Sequence, residues 1–135
     1  MNMLKAKLNK KLGKNGGFTL VEMLIVVAII AILVAVSIPL VSSSLEKARK
    51  ATDDANERSA KAEAVIQYLD AQTNGSAEYV GTFWYDAANG TLIDSAGTGA
   101  AKPTAYGKVS GNTTNIIQVV IATGGKVTIS WIAGA

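Results

Sequence analysis

The sequence contains no cysteine and no histidine among its 135 residues. Without cysteine, disulfide bridges, thiolate metal sites and thiol nucleophiles are excluded. Without histidine, the chain lacks the commonest general base and the commonest metal ligand. A site built from carboxylates or lysine stays open, but the composition favours a protein that is not an enzyme. We therefore expect no catalytic residues, no metal site and no cofactor.

Acidic residues are absent from the first 17 positions, which carry five lysines: Lys5, Lys7, Lys10, Lys11 and Lys14. The rest of the chain has eight basic and ten acidic side chains. The isoelectric point near 9.2 therefore describes mainly this short segment. If the segment is removed as a targeting element, the charge no longer favours a nucleic-acid partner.

A long apolar run follows the basic segment. From Phe18 to Val41 the only polar side chains are Thr19, Glu22 and Ser37. As a helix, this run reaches about 36 Å, enough to cross a hydrocarbon core of about 30 Å. The basic flank would stay on the cytoplasmic side, because lysine and arginine beside a span resist translocation. We therefore expect residues 42–135 to lie outside the cytoplasmic membrane.

An ordinary secretory signal peptide is one interpretation of this pattern. Two features argue against it: an acid, Glu22, stands at the start of the apolar run, and no Ala-x-Ala site precedes Ser42. The absence of cysteine excludes a lipoprotein signal. Thr19 and Glu22 also fit the Ser/Thr-x-x-Glu capping box of a helix start. A cap and a functional role for Glu22 are compatible.

The residues from Gly16 to Glu22, with the apolar run and Pro39 after them, resemble the N-terminus of type IV prepilins with a class III signal peptide. The resemblance implies that residues 1–17 are a leader cleaved after Gly17 and that the new amine of Phe18 is methylated. One departure is Ala31, where many members of that family have glycine.

The resemblance also implies roles for two residues of the apolar helix. Glu22 would pair with the N-terminal amine of a neighbouring subunit during assembly, a pairing that offsets the cost of a carboxylate at a membrane edge. Pro39 removes a backbone donor and is expected to kink or loosen the helix.

The region 42–135 is expected to form one extracytoplasmic head. An amphipathic helix is predicted over 42–74, ending at Asn74-Gly75. Its apolar stripe is predicted to pack on the head itself, with a seam between neighbouring helices as the alternative. The stripe comprises Leu45, Ala48, Thr52, Ala55, Ser59, Ala62, Ile66 and Leu69.

The region 75–135 is predicted to be β structure. The predicted strands cover Glu78 to Tyr85, Thr91 to Asp94, Asn115 to Ala122 and Lys126 to Ile132, with a short one at Ala105 to Val109. The fold class is therefore α+β, a long N-terminal helix packed on a small antiparallel sheet. This layout resembles the pilin head. Many pilins close that head with a disulfide, and a chain without one resembles pilins of Gram-positive bacteria.

The function implied by the resemblance is that of a structural subunit of a type IV pilus. It would sit in the cytoplasmic membrane as a single pass before assembly and in a surface filament afterwards. The implied partners are other copies of the chain, the prepilin peptidase, the assembly platform with its ATPase, and minor pilins. Adhesion and motility are among the known uses of such filaments.

Other functions are weighed against this one. The nearest is a pseudopilin of a type II secretion or competence DNA-uptake system, which shares the N-terminal motif. Further alternatives are a membrane-anchored binding module and a carboxylate hydrolase using Asp86 and Asp94, although solvated aspartates in turns are common. An adhesive aromatic patch at Tyr79, Phe83, Trp84 and Tyr85 is a weaker interpretation than a hydrophobic core.

Overall fold

The computed structural model describes residues 19–97 and 99–135. One helix and four strands form its regular structure: α1 (Leu20–Thr73), β1 (Gly81–Asp86), β2 (Thr91–Asp94), β3 (Asn115–Ile121) and β4 (Val127–Ala133). The chain divides into two compact units between Ser43 and Ser44, within α1. The predicted α+β class, with a long N-terminal helix and a small antiparallel sheet, is confirmed.

The first unit contains the apolar beginning of α1. Helical structure continues through Pro39, which lies inside α1. The large apolar side chains from Leu20 to Val41 are all exposed in the single chain. A kink at Pro39 stays a prediction.

The second unit is built on a four-stranded antiparallel sheet in the order β2-β1-β3-β4. β3 lies centrally, where Val119 pairs with Phe83 of β1 and with Ile129 of β4. Because directly paired residues of neighbouring strands point to the same face, all three of these residues lie on one face of the sheet.

The hydrophobic core of the second unit lies between this face and α1. It comprises Ala60, Ala64 and Tyr68 of the helix and Phe83, Tyr85, Ile117, Val119 and Ile121 of the sheet. Two alanines one turn apart allow the helix to approach the strands closely. The core therefore belongs wholly to the head.

The predicted core face of the helix is wrong. Ile66 and Leu69 of the expected stripe are 58% and 53% exposed. The buried face instead contains Asp53, Ala60, Ala64 and Tyr68. Because this face contains a carboxylate, the hydrophobic pattern did not indicate that it is buried. A buried acid is tolerated only where hydrogen bonds satisfy it.

Strand positions follow the prediction closely, with two exceptions. β2 has the predicted bounds, and the other strands differ by one residue at some ends, apart from β1, which begins at Gly81 instead of Glu78. Ala105 to Val109 is not a strand. Its chain lies against the start of β3, with the amides of Tyr106 and Gly107 both donating to the carbonyl of Asn115.

Candidate functional site: the processing and assembly segment

The predicted cleavage site, Gly17 with Phe18, lies outside the described residues, as does Gly16. The described chain begins at Thr19, directly after the residue predicted to become the mature N-terminus. Cleavage and N-methylation therefore stay predictions at these positions. The geometry of the residues that follow them is defined.

Thr19 and Glu22 form the predicted capping box. The Thr19 amide donates to Glu22 Oε2 at 2.8 Å, and the Glu22 amide donates to Thr19 Oγ1 at 3.2 Å. The two side chains thus satisfy two amides that a helix start otherwise leaves without a partner. The cap also holds the carboxylate beside the first peptide group after Phe18. Its role in assembly stays a prediction.

The apolar run beyond this cap is long enough and apolar enough to cross a membrane, and its side chains are not buried by the rest of the described chain. Such a helix near an N-terminus is also compatible with a signal sequence. Here the run continues without a break into the helix that builds the head core. The segment is therefore an integral part of α1.

Two serine hydroxyls, one in the apolar run and one directly after it, donate to carbonyls of the same helix. Ser37 Oγ donates to the Leu33 carbonyl at 2.6 Å, and Ser42 Oγ donates to the Ile38 carbonyl at 2.9 Å. Bonds of this kind reduce the cost of placing a hydroxyl in hydrocarbon. The two hydroxyls flank Pro39, where the backbone lacks one donor.

The head holds a buried carboxylate that the sequence did not single out. Asp53 is 3% exposed. Its Oδ1 accepts from the Lys108 amide at 2.8 Å and its Oδ2 from the Val109 amide at 2.9 Å. Nearby, Glu46 accepts from the Ser110 amide at 3.3 Å. These acids hold the loop before β3 against the helix.

Two further carboxylates link the helix region to the end of the sheet. Glu57 Oε1 accepts from the indole of Trp131 in β4 at 2.6 Å. Glu78 Oε1 accepts from the Tyr68 hydroxyl and from the Gly124 amide, each at 2.7 Å. The hydrogen bond from Tyr68 is the main cause that lowers the pKa of Glu78, and the same bond raises the pKa of Tyr68.

Tyr106 bridges the two central strands. Its hydroxyl donates to the Tyr85 carbonyl at 2.8 Å and accepts from the Ile117 amide at 2.9 Å. The Trp84–Gln118 pair is the last pair of β1 with β3. The hydroxyl takes the place of the backbone hydrogen bonds that a Tyr85–Ile117 pair would make next to it. Burial raises the pKa of Tyr106 to about 12. This phenol therefore completes the sheet.

The aromatic residues of β1 and the segment before it belong mainly to the core. Phe83 and Tyr85 are buried, Trp84 is half-buried, and Tyr79 stacks on Phe83 with ring centroids 4.6 Å apart. Lys102 Nζ lies 5.8 Å from the centroid of the Trp84 ring. The core interpretation of these aromatics describes their surroundings better than an adhesive patch does.

Asp86 and Asp94 both stabilise turns. Asp86 accepts from the amides of Ala88 and Asn89 and from the Asn89 side chain, and the last of these is the main cause that lowers the pKa of Asp86. Asp94 accepts from the Ala96 amide at 2.9 Å. Across residues 19–97 and 99–135, no group of three or more acids is arranged to hold a metal ion.

Sequence reasoning missed the carboxylates that hold the head together: Glu46, Asp53, Glu57 and Glu78. The only available signal was their position on or after a helix that faces a sheet. Their partners are backbone amides, an indole and a phenol that lie 10 to 74 residues away, and no local pattern indicates such pairs.

Comparison with known protein families matches residues 12–38 to the prokaryotic N-terminal methylation motif. This range contains the predicted cleavage site, the capping box and most of the apolar run. No curated protein and no solved structure matches the chain significantly. The motif implies processing by a prepilin peptidase and assembly into pilus-like polymers. Together with the fold, it supports the assignment of this chain to the type IV pilin-like prepilins with a class III signal peptide.

Proposed function

We propose that this chain is the structural subunit of a type IV pilus, cleaved after Gly17, methylated at Phe18 and assembled through its apolar helix. The observation that carries the proposal is the matched motif, which contains most of an apolar run whose large side chains are exposed in the single chain. Contact of so large an apolar surface with water is unfavourable. Lipid covers it before assembly, and the same segments of neighbouring subunits cover it in the filament.

A helical homopolymer follows from a contact that does not close on itself. Each subunit would present its apolar helix to others through a heterologous contact, which extends instead of forming a ring. The exposed residues Leu45, Ile66 and Leu69 on the head part of α1 favour contact with neighbouring subunits. We therefore propose that this stripe forms a seam between the helices of neighbouring subunits.

We propose two roles for Glu22, one in the single chain and one in the filament. In the single chain its carboxylate caps the helix through the Thr19 amide. In the filament it would lie near the positive amine of another subunit's Phe18. Cleavage after Gly17 is then a condition for assembly, because only cleavage creates that amine.

A structural function without catalysis is part of the proposal. Asp53, Glu78 and Asp86 of the head are occupied in holding a loop, the end of the sheet and a turn. The prepilin peptidase, the assembly platform with its ATPase and minor pilins are the proposed partners, and adhesion or motility are proposed uses of the filament.

A pseudopilin of a secretion or DNA-uptake system is the second candidate function. It is favoured by the match itself, because the N-terminal methylation motif is common to both classes. The two differ in the product: a pilus is a long surface filament that shearing releases, whereas a pseudopilus stays within the cell envelope.

The test combines electron microscopy with mass spectrometry. Cells with and without the chain are compared for surface filaments, and sheared filaments are analysed for this protein. We expect filaments that depend on the chain and contain it as the major component, beginning with N-methyl-Phe18. Processed protein confined to the envelope would favour the pseudopilin. An uncut N-terminus, or a cut near Ser42, would contradict both.

A further inference from the structure

The described residues contain two Asn-Gly pairs in exposed turns. Asn74-Gly75 follows the last residue of α1, and Asn89-Gly90 lies in the turn between β1 and β2. In such a pair the backbone nitrogen of glycine attacks the asparagine side-chain amide easily, because glycine has no Cβ to hinder the approach. All four residues are exposed, so exposure does not distinguish the two pairs.

The pair at Asn89 is held at both reacting groups. Its side-chain nitrogen donates to Asp86 Oδ2 at 2.7 Å, which fixes the amide that would be attacked. The Gly90 amide, which would supply the nucleophile, donates to the Asp86 carbonyl at 2.8 Å. Asp86 Oδ1 also accepts from the amides of Ala88 and Asn89. One aspartate thus restrains the whole turn.

The pair at Asn74 lacks both restraints. The Asn74 amide donates to Asp70 and the Ser76 amide to Ala71, which fixes the backbone on each side. Within the part of the chain that the structure describes, neither the Asn74 side chain nor the Gly75 amide makes a hydrogen bond. Neither the attacking nitrogen nor the amide that it attacks is therefore held by a hydrogen bond.

We propose that Asn74 is a site of spontaneous deamidation in the folded protein, and that Asn89 is protected by Asp86. The Gly75 nitrogen forms a bond to the Asn74 side-chain carbon and loses its proton, and ammonia leaves. The product is a five-membered succinimide. Water then opens either carbonyl of the ring, giving an aspartyl or an isoaspartyl residue at position 74. Water is the only co-reactant.

The modification places a new negative charge beyond the end of α1. That end already carries the negative pole of the helix macrodipole, and its last turn contains no basic residue. The isoaspartyl form also lengthens the backbone by one carbon. Both changes loosen the turn that leads from the helix toward Glu78, whose carboxylate binds Tyr68 and Gly124.

The test follows both sites within one molecule. The purified mature protein in detergent is incubated in mildly alkaline buffer and sampled over time. Cleavage after Glu78 places the two asparagines in different peptides, in which mass spectrometry measures amide loss and isoaspartyl methyltransferase labelling measures the rearranged product. A parallel sample is kept unfolded in urea, where both Asn-Gly pairs are released.

In the folded protein we expect position 74 to convert several times faster than position 89, and in urea we expect the two rates to become similar. The variant Asp86→Ala should accelerate conversion at position 89 several-fold and leave position 74 unchanged. Folded protein in which position 74 converts no faster than position 89 would overturn the proposal. If the variant does not fold, the comparison of folded and unfolded wild-type protein still decides.

Discussion

The Oδ2 atom of Asp53 accepts a hydrogen bond from the backbone nitrogen of Val109, 56 residues later in the chain. Its other carboxylate oxygen binds the neighbouring Lys108 amide in the same way. The carboxylate therefore supplies two loop amides with the acceptors that they would otherwise lack. This pairing holds the helix and the loop before β3 together.

Replacing Asp53 by alanine should destabilise the head by about 2–4 kcal/mol, because two amides lose charged acceptors in a buried place. Asp53→Asn keeps one acceptor oxygen, and its stability should lie between that of the alanine variant and that of wild type. Urea unfolding of the fragment from Ser44 onward measures the loss, since this fragment contains the whole core.

The neighbouring carboxylate provides the control for this prediction. Asp54→Ala removes an acid from the same helix turn, and Asp54 makes no hydrogen bond or ion pair among the described residues. Its effect should stay within about 0.5 kcal/mol. Equal losses for the two alanine variants would mean that the loop is held by other contacts.

Gly107 is predicted to tolerate no side chain. A Cβ at this position would clash with the Asn112 carbonyl oxygen, a backbone atom that cannot move independently. Gly107→Ala should therefore cost more than about 3 kcal/mol or prevent folding. Gly111→Ala is the control, because its φ of 100° imposes strain but its surroundings are open. Thermal unfolding of both variants checks the prediction, which fails if Gly111→Ala is the more harmful.

The stability of the head should fall in acid partly through Glu78. Its pKa is lowered from 4.5 in the folded state by the Tyr68 hydroxyl and the Gly124 amide. A carboxyl with a lowered folded-state pKa stabilises the protein above its unfolded value and loses that contribution as the pH falls through the folded one. The loss should therefore begin near pH 4.5 and continue below it.

Comparing melting temperatures of wild type and Glu78→Gln across this pH range isolates the effect. The variant should be less stable at neutral pH, and the gap should narrow on acidification. Asp86, whose pKa is also lowered, is present in both proteins and cancels in the comparison. Tyr68→Phe should reproduce part of the change because it removes the main cause of the shift. A gap that is constant with pH would contradict the prediction.

The charge of Glu22 and its cap can be separated. Glu22→Gln keeps an acceptor for the Thr19 amide but removes the charge, whereas Thr19→Val keeps the charge and removes the hydroxyl that the Glu22 amide binds. If the charge pairs with another subunit's amine, only Glu22→Gln should shift subunits from filament to membrane, by tenfold or more for a loss of about 1.4 kcal/mol. Sheared filament and membrane-retained monomer are quantified for both variants. Equal ratios in wild type and Glu22→Gln would leave the carboxylate with its capping function alone.

Local signals in the sequence were sufficient for the helix start and most strands. The capping box depends on residues three apart, so the spacing of Thr19 and Glu22 determines it. β2 has its predicted bounds because the Asn89-Gly90 turn fixes where the hairpin reverses. The motif match likewise depends on a contiguous segment.

Long-range pairing determined what the sequence did not indicate. The buried face of α1 contains Asp53, whose partners lie in a distant loop, so a search for apolar periodicity selected the opposite face. The segment around Tyr106 was predicted to be a short strand. Instead, its phenol takes the place of a pair of backbone hydrogen bonds between β1 and β3. Side chains that replace backbone partners in this way leave no periodic trace.

The spacing of contacts along α1 has a mechanical consequence. Asp53, Glu57, Ala60, Ala64 and Tyr68 attach the helix to the loop, to β4 and to the core over about 22 Å of its length. A force along the helix axis acts on all of these contacts at once, as shear. They must therefore break together instead of one after another. The head should therefore resist tension along the helix far better than a force that lifts the helix from the sheet.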